Sequence, residues 1–164
     1  MYNFDFEKPS TIADAVSAMA TEEAQALGGG QTLIPTLKQR LASPSKLVSL
    51  SGIAEMKGVC EADGGISVGG ATTHATVAAE AGAYPALAAL ASNIGDPAVR
   101  NRGTIGGSLA NNDPAACYPS AALASGATIE TNSRAIAADD YFQGMFTTAL
   151  EEGEIITNIR FPIP

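Results

Sequence analysis

The chain has 164 residues, 46% of them hydrophobic and only 16% charged, which excludes a disordered polymer and suits one domain or two small lobes around a shared core. A net charge of −8 with nine scattered Lys and Arg leaves no basic face for nucleic acid, and no apolar run approaches the roughly 20 residues that a membrane span needs. Cys60 and Cys117 form no CxxC pair, so they suggest neither a metal site nor a disulfide framework and read as reduced structural thiols.

The start, Met1 to Asp5, lacks a basic segment followed by an apolar run, so no secretion signal is expected and the cytoplasm is the expected location. Thr11-Ile12-Ala13-Asp14 fits a capping box, and Ile12, Ala15, Val16 and Met19 follow at helical spacing. A strand over Ala24–Leu27 leads into Gly28-Gly29-Gly30-Gln31-Thr32 and a second helix with Leu33, Leu37 and Leu41 on one face. Pro35 falls in its first turn, where a missing N–H matters least. Lys46–Ser49 reads as a further strand. Val59–Ala62 and residues 66–69 flank Asp63-Gly64-Gly65 as a hairpin. A helix begins at Thr72-Thr73-His74, and the run from Pro85 to Ala91 is apolar on every side, which predicts a buried helix. Residues 93–114 hold four glycines, two prolines and two arginines and read as a long ordered loop. A short helix over residues 119–125, a hairpin over 127–137 and a final strand over 155–161 complete the chain. Helical crossovers come first and hairpins later, which predicts an α+β fold: a small parallel βαβ lobe over residues 1–55 and a mostly antiparallel lobe over 56–164.

Two glycine loops carry the chemistry. Gly28-Gly29-Gly30 joins a strand to a helix start, where unpaired N–H groups and the helix dipole favour an anion. On these residues alone the loop is either a diphosphate cradle or a tight turn that binds nothing. It matches neither GxGxxG nor the Walker phosphate loop. In the second loop, Thr104-Ile105-Gly106-Gly107-Ser108, the glycines again offer backbone donors and two hydroxyls flank them. Arg100 and Arg102 offset phosphate charge or pair with Asp96 or Asp113. Composition and spacing reach no further than a nucleotide binder as one option.

At these residues the chain resembles a known family. Gly29-Gly30-Gln31-Thr32-Leu33-Ile34-Pro35 is similar to the first flavin loop of the medium subunit of carbon monoxide dehydrogenase and its relatives. Asn93-Ile94-Gly95-Asp96-Pro97 and the stretch from Arg100 to Ala110 resemble the second, and Asn112-Asp113-Pro114-Ala115-Ala116 continues the likeness. It extends from residues 4–16 to the closing strand, and xanthine dehydrogenase carries a flavin domain of the same kind. The resemblance implies the vanillyl-alcohol-oxidase type of FAD-binding fold, with FAD as cofactor and no catalytic side chain. It implies pyrophosphate contacts at Gly28, Gly29, Gly30, Gln31, Thr32 and Leu33 and at Thr104, Ile105, Gly106, Gly107 and Ser108, with Gly95 lining the flavin ring. Cys117 stands where relatives often place a ribose-binding aspartate, and a thiol is a weaker partner.

The resemblance also implies partners. A small subunit with 2Fe-2S clusters is fed by a molybdopterin cofactor on a large subunit, and the flavin passes electrons to an acceptor. A homodimer is a further option. The family has another small domain after the closing strand, absent from this sequence. Either the sequence is a cut-down piece of a longer chain, or it is a natural short form with a more open flavin site; weak retention of FAD is the expectation. A flavin-free module that holds partner subunits together is the alternative. His74, the only histidine, reads as a capping or surface group. Asp139, Asp140, Glu151, Glu152 and Glu154 read as solvated charge. Tyr118, Tyr141, Phe142 and Phe146 read as core.

Overall fold

The computed structural model describes residues 1–62 and 64–163, so Asp63 of the expected hairpin turn lies outside the described residues. The chain begins with β1 (Asp5–Glu7), α1 (Ile12–Met19), β2 (Ala24–Leu27), α2 (Leu33–Lys38) and β3 (Lys46–Ser49). These three strands form a parallel sheet in the order β1-β3-β2. Parallel neighbours need crossovers, and the two helices supply them. Thr11 caps α1, its hydroxyl accepting from the Asp14 N–H at 3.1 Å. The Ile12 N–H donates to the carboxylate of Glu55, so a distant residue helps to hold the helix start. Ala15, Ala18 and Met19 are buried with Val48, Ile53 and Met56, and Ala71 and Ile155 from the rest of the chain join this core. Leu41 is 74% exposed rather than on the helix face, because the helix stops at Lys38 and Arg40 takes a left-handed φ of 61°.

The second half contains β4 (Val59–Ala62), β5 (Gly65–Gly69), α3 (His74–Glu80), α4 (Pro85–Ser92), α5 (Pro97–Arg100), α6 (Ile105–Asn111) and α7 (Cys117–Ser125). After these come β6 (Thr128–Thr131), β7 (Ala135–Ala137), α8 (Ala138–Tyr141), β8 (Phe142–Gly144), β9 (Thr147–Thr148) and β10 (Ile156–Pro162). Five of the strands make an antiparallel sheet, β4-β5-β10-β6-β7, and β8 and β9 pair separately. Chain order therefore differs from sheet order, and the last strand fills the centre. Ile159 lies between Val68 and Ile129 in register, and all three are fully buried. The main core joins this row to Val77, Leu87, Ile105, Leu109 and Tyr118 on the helices. The architecture is α+β, with the parallel and antiparallel sheets in the order the sequence predicts.

Two expectations need correction. The stretch over residues 93–114 is not a loop, because it contains α5 and α6. Asp96 accepts from the Val99 N–H at 2.9 Å with Pro97 next to it, and Thr104 accepts from the Gly107 N–H at 3.2 Å. Both are helix starts of the ordinary kind, obscured by the glycines around them. α4 buries only Leu87 and Ala91, while Ala86 and Ala89 are exposed. Alanine looks apolar on every side, yet its methyl group exposes little surface in water.

Glu154 is also not solvated charge. Its side chain is 4% exposed and accepts from Arg134 Nε and Nη2, both at 3.0 Å. The hydroxyls of Thr131 and Ser133 and the Glu151 N–H donate to it as well. The Arg134 bonds lead in lowering its pKa to about 2, against burial. A carboxylate with a depressed pKa stabilises the fold above its unfolded value, and that contribution is lost as pH falls toward 2. Because Arg134 is partly exposed, we expect Glu154→Gln to cost about 2 kcal/mol at pH 7 in denaturant unfolding. The difference from wild type should shrink below pH 4. A gap that stays constant across that range would show that shape rather than charge holds this corner.

Candidate functional site

A cavity of about 500 Å³ is lined by residues from both halves of the chain, within the roughly 300–1,000 Å³ typical of cofactor sites. Both glycine loops line it. The first runs from the end of β2 into α2, and the second is the start of α6. Their glycines make the approach possible. A Cβ on Gly29 would overlap the Arg102 carbonyl, and one on Gly28 would come within 2.7 Å of the Thr104 hydroxyl. The loops therefore interlock through backbone where no side chain fits.

The two loops differ in what they offer a ligand. The five consecutive N–H groups from Gly29 to Leu33 donate to no acceptor among the described residues. Thr32 precedes α2, yet its hydroxyl forms no capping bond. The second loop has already committed most of its amides. The Ile105 N–H donates to the Thr72 carbonyl, Gly106 to the Gly70 carbonyl and Gly107 to the Thr104 hydroxyl. Gly106 and Gly107, both expected at the binding loop, differ in their surroundings. Gly106 is buried, and a Cβ there would meet the Gly70 carbonyl at 2.5 Å. It is a packing glycine, required where α6 crosses the segment after β5. Gly107 is exposed to the cavity, and within 4 Å its Cβ would meet only the Thr104 hydroxyl, at 2.9 Å.

Ten of the thirteen predicted binding residues line this cavity: Gly28, Gly29, Gly30, Gln31, Thr32, Leu33, Thr104, Gly106, Gly107 and Ser108. Three do not. Ile105 is fully buried and holds α6 to the core. Gly95 takes a left-handed φ of 52° beside Val99, and its carbonyl accepts from Arg100. Cys117, the first residue of α7, is exposed next to the lining residues Ala115 and Ala116.

Neither arginine pairs with an acid among the described residues. Arg100 Nη1 donates to the Ile94 and Gly95 carbonyls, which shapes the turn before α5. No Lys or Arg lines the cavity, so any anion there is met by backbone amides. That agrees with an acidic chain and with the five open N–H groups. A diphosphate fits this donor set, and Gly107 leaves room for it.

His74, Phe146 and Glu154 are among the lining residues to which the sequence did not point. His74 is 5% exposed, not a surface group. Its N–H donates to the Gly103 carbonyl, and its ring lies 5.3 Å from that of Tyr118. Nδ1 of His74 and the Tyr118 hydroxyl have no partner among the described residues. Burial lowers the His74 pKa to about 4 and raises that of Tyr118 far above its usual value. Phe146 lies at the cavity edge and is 58% exposed, so it is not core. Its signal was the loop Gly144-Met145-Phe146, where two large apolar residues follow a glycine in a turn.

Among the described residues there is no cluster of metal-ligating side chains and no helix long and apolar enough to cross a membrane. Residues 2–164 match the family described as the FAD binding domain in molybdopterin dehydrogenase. The medium chain of carbon monoxide dehydrogenase from Afipia carboxidovorans is 40% identical over 171 residues, covering 99% of this chain and 59% of that one. The solved carbon monoxide dehydrogenase from Oligotropha carboxidovorans superposes with a TM-score of 0.94 at 38% identity, covering 99% of this chain and 60% of that one. Quinoline 2-oxidoreductase from Pseudomonas putida 86 superposes with a TM-score of 0.95 at 33% identity and the same coverage. The chain thus spans about 59% of the length of the carbon monoxide dehydrogenase medium chain it matches. With the fold, the cavity and both loops in agreement, the chain belongs to the family of FAD-binding domains of molybdopterin dehydrogenases, and FAD is its cofactor.

Proposed function

We propose that this chain is the FAD-binding part of an oxidoreductase subunit in a molybdopterin-dependent dehydrogenase. Bound FAD supplies a relay that accepts electrons from iron–sulfur clusters and passes them to a terminal acceptor. The clusters are assigned to a small partner subunit and the molybdenum cofactor to a large one. The relatives' names support this, since they are medium chains of dehydrogenases and hydroxylases. We read residues 1–55 and 56–164 as two FAD-binding lobes, on the division between the parallel and antiparallel sheets. A cytoplasmic location belongs to the same reading, supported by two exposed and unpaired cysteines.

The observation that carries the proposal is the run of open N–H groups from Gly29 to Leu33 in a loop that lines a cavity without a basic side chain. These amides hold the pyrophosphate, with Gly28 and Gly30 shaping the loop and Thr32 and Ser108 adding hydroxyls. Thr104 and Ile105 fix the second loop, Gly106 lets it approach, and Gly107 leaves the phosphates room. Gly95 is assigned to the flavin side and Cys117 to the adenosine side.

Titration separates a diphosphate site from a simple flavin pocket. FAD should bind at least about tenfold more tightly than FMN, since FMN lacks the second phosphate and the adenosine. Flavin fluorescence quenching reads both. Equal or tighter FMN binding would remove the pyrophosphate from the argument.

A further inference from the structure

Phe146 sits in the turn between β8 and β9 with a backbone φ of 55°. A bulky residue in the left-handed region is strained, and such strain persists only where surrounding contacts impose it. Here the contacts come from Asn112, itself left-handed at the end of α6. Asn112 is buried, and its Nδ2 donates to the Gly144 carbonyl at 2.7 Å and to the Thr147 carbonyl at 2.9 Å. Its own carbonyl accepts from the Phe146 N–H at 3.1 Å. Two bonds donated by Asn112 and one accepted by it thus clamp the turn on both sides of Phe146.

The clamp does not put Phe146 into the core. Tyr141 and Phe142 do that, with rings 4.9 Å apart and edge to face. Phe146 is instead exposed, and it lines the cavity to which Asp113 and Ala115 also contribute. The clamp fixes the backbone, and the side chain it carries is exposed at the cavity edge.

We propose that Phe146 is a ligand-packing residue whose ring lies against a planar heterocycle of the bound dinucleotide, either adenine or isoalloxazine. This rests on the FAD reading. Aromatic pairs prefer offset stacking or edge-to-face contact, and a residue with only two side-chain torsions loses little freedom in forming it.

The test uses Phe146→Gly, Phe146→Tyr and wild type, titrated with FAD, FMN and ADP by fluorescence or calorimetry, with thermal unfolding of each. Glycine accepts the left-handed backbone, so Phe146→Gly should keep or raise Tm while weakening FAD about tenfold or more. Phe146→Tyr keeps the ring and should bind FAD within about twofold of wild type. A loss shared with ADP assigns the contact to adenine, and a loss shared with FMN assigns it to isoalloxazine. Asn112→Ala, which removes the two side-chain bonds of the clamp but keeps the ring, should weaken the same ligand. The inference is overturned if wild type binds FAD and Phe146→Gly binds it equally well. If wild type binds no FAD at all, the FAD reading itself fails, and the two failures are told apart.

Discussion

Gly107→Val is expected to weaken FAD binding at least about 100-fold while the fold survives, whereas Gly29→Val should destroy the fold along with binding. The difference follows from what each Cβ would meet. At Gly107 the new side chain enters the cavity, and only the Thr104 hydroxyl lies within 4 Å of its Cβ. α6 can carry a valine there, because helix propensity favours it over glycine. The branched methyl groups would occupy the space assigned to phosphate. At Gly29 the Cβ would overlap the Arg102 carbonyl and lie 2.6 Å from the Gly103 Cα. Neither partner is a flexible side chain, so the two loops must separate at a cost of about 3 kcal/mol or more. Circular dichroism melting and flavin fluorescence measured on the same samples distinguish the outcomes. Normal FAD binding by Gly107→Val would remove this residue from the site. Normal melting of Gly29→Val would show that the loops need not interlock.

Acid should weaken the fold through His74. Its ring is buried between Gly103 and Tyr118, and burial holds its pKa near 4 against an ordinary 6.5. The folded state therefore binds fewer protons than the unfolded state between these values, so stability falls as pH drops through that window. A shift of this size corresponds to about 3 kcal/mol at its limit, complete below pH 4. The variant His74→Gln is neutral throughout. It should be less stable than wild type at pH 7, because Gly103 and Tyr118 lose a ring neighbour. Near pH 4 the two should converge by about 2 kcal/mol or more. Urea unfolding at pH 7, 5.5 and 4.5 reads this directly. Parallel curves for the two proteins would mean that His74 charges without resistance and is open to water.

Several features could be read directly from the chain. The α+β class and the order of the two sheets follow from where helical crossovers give way to hairpins. The first helix was visible because Thr11 and the stripe through Ile12, Ala15 and Met19 are local signals. The two loops were visible because glycine runs are conspicuous, and ten of their residues do line one cavity. α5 and α6 were missed although Asp96-Pro97 and Thr104 are proper helix starts. Four-residue and seven-residue helices carry too little periodicity to outweigh the glycines around them. Glu154, His74 and Phe146 were misplaced for another reason. Each belongs to a residue type whose usual environment is the opposite of the one it has here.

The fold class, the family resemblance and the two loops were legible without coordinates, because local patterns and motif residues survive without knowledge of contacts. Which glycine faces the cavity and which packs against the protein depends on how the helix sits in the fold. Gly106 and Gly107 are identical in sequence terms, and one helical step of about 100° separates a buried contact with the Gly70 backbone from a position at the cavity whose Cβ would meet only the Thr104 hydroxyl. Nor could the chain reveal that the second loop's amides are already taken by Thr72 and Gly70, since hydrogen bonds between distant segments exist only once the chain has closed on itself.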